Sequence, residues 1–137
     1  MAADSTQPHP QRQPRDPAPG PADQHYFDAC AEGVLLVKRC MACTAYHHYP
    51  RALCPFCLSD DVRWTNAAGS GEIHTFSVTR PAGSAAYCIA YVRLDEGVTM
   101  MTNIVDCDFN AVFIGQRVRV VFRKTQGGIS VPMFTPA

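Results

Sequence analysis

Four cysteines stand in two pairs of identical spacing, Cys40-Met-Ala-Cys43 and Cys54-Pro-Phe-Cys57, separated by ten residues. Two thiolates two residues apart can grip one metal ion from a tight knuckle turn. Two such knuckles complete a tetrahedral Cys₄ shell with no position left for substrate. The spacing therefore predicts one structural zinc ion held by Cys40, Cys43, Cys54 and Cys57. His47 and His48 lie between the knuckles. With four thiolates filling the shell, both histidines are read as ribbon surface rather than ligands.

The other groups that could do chemistry do not form a set. Cys30, Cys88 and Cys107 have no histidine at an informative spacing, and Cys88 alternates with Ala90 and Val92 as a buried strand thiol would. Glu72 and His74 share one side of a strand with Phe76 and Val78, where a surface pair is a commoner arrangement than an acid–base couple. The chain has no G-x-S-x-G elbow, phosphate-binding glycine loop or H-E-x-x-H helix, so it does not read as a complete enzyme.

The elements that must position the knuckles follow from composition and periodicity. Residues 1–22 carry six of the eleven prolines among Gln, Ala and charged residues, a disordered Pro-rich tail with nothing to pack. In residues 23–36 the spacing of Tyr26, Phe27, Cys30, Val34, Leu35 and Leu36 predicts a short amphipathic helix interrupted near Gly33, its apolar face free for this chain's core or for another subunit. Residues 37–66 form the zinc lobe. The stretch between its knuckles is too short for a helical finger and suits a rubredoxin-like ribbon.

After Gly69-Ser-Gly71 the chain divides into short extended segments, Glu72–Arg80, Tyr87–Leu94, Val98–Val105, Arg117–Arg123 and Ile129–Phe134, with Asp95-Glu96-Gly97 as a hairpin turn. Five short strands in residues 67–137 suit a small OB-fold barrel, whose closure removes unpaired edges. The fold class is thus mostly β: a short N-terminal helix, a zinc ribbon and a C-terminal five-stranded OB-fold barrel.

Composition narrows the partners. The formal net charge is zero, and residues 67–137 hold six Lys and Arg against five Asp and Glu, too even for a groove that tracks phosphates. A nucleic-acid-binding zinc-ribbon and OB module, the alternative that these folds suggest, is disfavoured on that ground. No run of about 18 apolar residues could span a bilayer. Seven cysteines, an odd number, with no apolar signal core behind Met1 point to a reducing, cytoplasmic setting.

Beyond these readings, Tyr26-Phe27, the two knuckles, Tyr49-Pro50-Arg51, Trp64, Gly69-Ser-Gly71, Val92-Arg-Leu-Asp-Glu-Gly97, Ile114-Gly115, Val118-Arg-Val-Val-Phe122 and Pro132-Met-Phe-Thr-Pro136 form an ordered series. In it the chain resembles the small zinc-ribbon and OB-fold proteins that accompany acyl-CoA enzymes, domain-of-unknown-function family thirty-five, over roughly residues 24–137. Two positions depart from the family pattern: Thr44 stands where a glycine usually follows the second cysteine, and Tyr49 replaces the first of a proline pair.

The resemblance implies a non-catalytic accessory subunit of a hetero-oligomer. Its partner would be a thiolase-like catalytic subunit, a ketoacyl-CoA thiolase or an aldolase of acyl-CoA side-chain degradation, with an acyl-CoA hydratase as the alternative. The small subunit would buttress the partner and help line the site of the coenzyme A thioester. Arg51 and Arg80 are candidates for its phosphates, because guanidinium forks match phosphate geometry, with solvated surface charge as the commoner alternative. A free-standing thioesterase or hydratase is the weakest reading, for want of a nucleophile and base.

Overall fold

A computed structural model describes residues 12–137. The helix α1 (Gln24–Ala31) precedes a three-stranded ribbon, β1 (Leu36–Cys40), β2 (Tyr46–His47) and β3 (Val62–Asn66), in the order β2-β1-β3. A second sheet follows, built from β4 (Ser70–Thr79), β5 (Tyr87–Leu94), β6 (Thr99–Ile104), β7 (Arg117–Lys124) and β8 (Ser130–Pro136), with a 3₁₀ turn at Phe109–Ala111. It closes as the barrel β4-β5-β6-β8-β7, antiparallel except where Ile104 of β6 meets Phe134 of β8. The mostly-β architecture of ribbon and five-stranded barrel is the one read from the sequence.

The helix is shorter than the spacing of its apolar residues predicts. It ends at Ala31, and Gly33 turns the chain at φ +79°, so the Leu35-Leu36 pair enters β1 instead of extending a helical face. Tyr26 and Cys30 are buried against this chain's own β8 and β1. The apolar face left open to a partner in the sequence reading is therefore covered from within. Tyr26, Cys30, Leu35, Leu36 and Val37 join Ile73, Val92, Leu94, Ile104, Val118 and Phe134 in one continuous core.

Strand periodicity holds along β5, where Cys88, Ala90, Val92 and Leu94 point inward and Ile89, Tyr91 and Arg93 outward. It fails in β4. A register shift between Ile73 and Thr75 inserts a bulge at His74. Glu72 and His74 stay on the outside, while Phe76 and Val78 turn inward opposite Ala90 and Cys88. The four residues expected on one side are split across the wall, because one extra residue shifts a period of two by half.

The Gly69-Ser-Gly71 and Leu94-Asp-Glu-Gly97 motifs turn out to close the barrel together. Gly71 lies so near the Arg93 carbonyl that a Cβ there would overlap it, and Gly69, at φ +78°, would put a Cβ 2.6 Å from Val120 Cγ1. Between them, the Ser70 hydroxyl donates to Asp95 at 2.5 Å. Arg117 of β7 donates to both oxygens of that carboxylate at 2.9 and 3.0 Å. The Arg117 fork, with Ser70 behind it, pulls the Asp95 carboxyl down to about 2.

Residues 1–11 of the expected tail lie outside the described residues. Residues 12–22 depart from the expectation of a segment with nothing to pack. The Arg12 guanidinium sits 4.4 Å from the Tyr87 ring centroid, and Asp16 accepts a hydrogen bond from the Gly127 N–H at 2.9 Å.

Candidate metal centre

Each knuckle is built in the same way. The Cys40 N–H donates to the Ala45 carbonyl at 2.9 Å, and the Cys54 N–H donates to Ser59 at 2.9 Å, closing two equivalent loops. Each loop needs a left-handed residue after its second cysteine, and Thr44 (φ 67°) and Leu58 (φ 65°) supply it. At such angles a non-glycine residue costs about 1–2 kcal/mol. The threonine where glycine is usual thus leaves the loop's form intact and strains it.

The loops bring the sulfur atoms of Cys40, Cys43, Cys54 and Cys57 within 4.8 Å of one another. Cys40 Sγ lies 3.6 Å from Cys57 Sγ, and Cys43 Sγ 3.6 Å from Cys54 Sγ. A tetrahedral shell with Zn–S bonds of about 2.3 Å has edges of about 3.8 Å, so the donor set fits a zinc ion. Backbone amides complete the second layer: Cys43 N–H donates to Cys40 Sγ and Phe56 N–H to Cys54 Sγ, both at 3.4 Å. The Cys43 N–H draws the Cys40 thiol down to about 7, toward the thiolate that a metal requires. Cys40 and Cys54 are buried, and Cys43 and Cys57 are exposed. Bound there, zinc supplies a fixed cross-link between the knuckles.

His47 and His48 are not the ribbon surface that the sequence suggests. His47 is 4% exposed. His48 packs in an aromatic cluster, 5.9 Å from Tyr26 and 5.6 Å from Tyr49 between ring centroids. Burial, reinforced by the neighbouring His47, pushes the His48 imidazole down to about 4. Burial lowers His47 as well.

An acid-sensitive fold follows. The unfolded chain takes up a proton near pH 6.5 that folded His48 refuses until about pH 4, so its contribution to stability is complete above 6.5 and lost as pH falls. By pH 5 the loss attributable to His48 is about 2 kcal/mol. Urea unfolding at pH 7 and pH 5 checks this: His48→Phe is expected to show a smaller pH difference than the parent chain. An equal difference in the two proteins would refute it.

The remaining candidates are scattered. Cys30 and Cys88 are buried, and burial pushes each thiol up to about 11, away from the thiolate that a nucleophile needs. Arg51 is exposed after β2, its carbonyl accepting a 3.1 Å bond from Lys38 Nζ. Arg80, just past β4, donates to Asn110 Oδ1 at 2.9 Å, so the two arginines belong to different sheets. Sequence reasoning missed the joint that Trp64 makes. Its ring lies 5.2 Å from the His25 ring of α1 and under Lys38 Nζ at 4.6 Å, so it ties helix to ribbon.

Two family models match consecutive parts of the chain: the rubredoxin-like zinc ribbon domain of ChsH2 over residues 27–63, and the ChsH2 C-terminal OB-fold domain over residues 64–123. A DUF35 domain-containing scaffold protein of Methanothermobacter thermautotrophicus is 33% identical over 98 residues, 67% of this chain and 74% of that protein. A protein of Thermomonospora curvata named "Probable enoyl-CoA hydratase alpha subunit" is 30% identical over 135 residues. That match takes in 93% of this chain, which spans only 42% of the relative's length. Among solved structures, a chain of the "Ltp2-ChsH2(DUF35) aldolase" superposes with a TM-score of 0.77 at 30% identity, covering 88% of this chain and 98% of that one. With four converging thiols at the head of the ribbon and a closed barrel behind it, the chain belongs to the DUF35 family of zinc-ribbon and OB-fold scaffold proteins.

Proposed function

We propose that this chain is the non-catalytic accessory subunit of an acyl-CoA-processing complex, paired with a thiolase-like catalytic subunit, either a ketoacyl-CoA thiolase or an aldolase. The observation that carries the reading is the likeness to the ChsH2(DUF35) chain of the Ltp2-ChsH2 aldolase over nearly the whole of that chain. The raised thiols of Cys30 and Cys88 support it, since neither is prepared for nucleophilic attack.

The knuckle loops offer the docking surface. Phe56 and Leu58 are 69% and 73% exposed, with Leu53 and Met41 also exposed. Aromatic, leucine and methionine side chains in such a patch mark protein contact sites. Zinc fixes the shape of that patch and thereby the docking of the catalytic subunit. Arg51 and Arg80 serve the coenzyme A phosphates in this reading.

A hydratase partner is the second reading, favoured by the likeness to the hydratase alpha subunit across 93% of this chain. The test is to purify the tagged chain from its source with its identified partner, then to assay the complex and the free chain on acyl-CoA thioesters. Carbon–carbon cleavage yields two fragments, whereas hydration adds one water to an enoyl thioester. The complex is expected to turn over and the free chain to be inert, and Phe56→Asp with Leu58→Asp should abolish co-purification while leaving zinc bound. Enzyme-like turnover by the free chain would overturn the accessory role.

A further inference from the structure

Strands β6 and β8 meet at a single register pair, Ile104 with Phe134, assisted by the Thr102 hydroxyl donating to the Pro132 carbonyl at 3.4 Å. Beside this narrow joint the barrel wall opens into a cleft of about 340 Å³. Its floor and sides are apolar, with Met101, Ile104, Phe109 and Met133 prominent. The polar Asn103 on its wall is engaged, donating to the Cys88 carbonyl at 3.1 Å.

The remaining wall comes from residues far away in the chain. Arg12, Pro14 and Arg15 line the cleft, and among the described residues no carboxylate does. The segment is fastened at two points, Arg12 over Tyr87 and Asp16 on the Gly127 N–H and the Thr125 side chain. A Cβ at Gly127 would stand 2.8 Å from both Asp16 carboxylate oxygens, so the glycine makes room for the second fastening. A wall held through these two residues can detach.

We propose that this cleft is a binding site for a small amphipathic organic anion. The apolar body lies on Met101, Ile104, Phe109 and Met133, the anionic head meets Arg12 and Arg15, and residues 12–16 are the movable wall. The volume is at the lower end of what ligand pockets enclose, about 300–1,000 Å³. Two cations, with no acid beside them in the lining among the described residues, set the sign of the head group. The site is independent of the accessory role and is read on the free chain.

The test is a fluorescence titration of the full chain with anilinonaphthalene sulfonate and with neutral N-phenyl-1-naphthylamine. One saturable sulfonate site per chain is expected. Arg12→Ala with Arg15→Ala should weaken the sulfonate at least five-fold and leave the neutral dye unchanged. Ala86→Phe, which fills the cleft from its rim, should abolish binding of both, with Met101→Trp as a second filling variant and zinc content as the check of folding. Asp16→Ala should speed both association and dissociation in stopped flow. Undiminished binding in the folded filling variants would place the dye elsewhere, for instance on Phe56 and Leu58, and overturn the proposal. Indifference of the sulfonate to the two arginines would overturn the anionic head, and unchanged rates in Asp16→Ala would overturn the movable wall.

Discussion

Cys54→Ser is expected to release the metal and unfold the ribbon. Cys54 is fully buried, its sulfur receives the Phe56 N–H, and its own N–H closes the second knuckle on Ser59. A serine hydroxyl stays protonated at neutral pH and cannot stand in for a thiolate. Binding of zinc by such lobes contributes about 10–16 kcal/mol, all of it folding energy. The ribbon without metal has strands of five, two and five residues and little apolar interior of its own. Trp64, the single tryptophan, sits in β3 and reports on the ribbon selectively. The variant should show far less than one zinc per chain by elemental analysis, together with a shifted, solvent-like tryptophan emission. Full zinc occupancy with unchanged emission would sink the assignment.

The metal site was legible because its information is local. A knuckle is a matter of residues three apart, and its loop geometry is repeated at Cys40 and Cys54. The barrel strands were legible for a similar reason, since β5 states its two sides residue by residue. What escaped depends on distant partners. The bulge at His74 leaves no mark on composition, yet it reverses the facing of Phe76 and Val78. His47 and His48 read as surface because polar residues between knuckles usually are, whereas the fold buries His47 and sets His48 against the Tyr26 ring of α1. The proline-rich segment has a composition that can bury little by itself. Its contact with Gly127 joins residues 111 positions apart, a relation that no local reading contains.

The same distinction separates what the ribbon does from what holds it. Zinc sets the knuckle loops and the exposed Phe56 and Leu58, whereas Trp64, Tyr26 and the Leu35–Val37 segment fix the ribbon to helix and barrel. In the accessory role proposed here, docking by one end needs both, because a well-formed patch on a swivelling lobe loses affinity to the entropy of ordering it. The continuous core makes ribbon and barrel answer to the same packing.

Phe134→Ala tests that continuity and carries the largest expected effect within the barrel. Phe134 is fully buried, pairs with Ile104 and Val120, and its carbonyl accepts the Val105 N–H at 2.9 Å. It therefore fills the interior where β6 and β8 join with the fewest backbone contacts, and neighbours on a closed barrel have little freedom to collapse into the space left. Truncating a buried phenylalanine costs about 3–5 kcal/mol. Against a net stability of about 5–15 kcal/mol that is a large fraction. Urea unfolding should show the loss as one transition, with far-UV circular dichroism and Trp64 emission moving together, because core residues of helix, ribbon and barrel are in contact. Two separated transitions would mean that the ribbon stands without the barrel. A loss below about 1 kcal/mol would move the burden of closure from the β6–β8 joint to the Asp95–Arg117 clamp on the opposite seam.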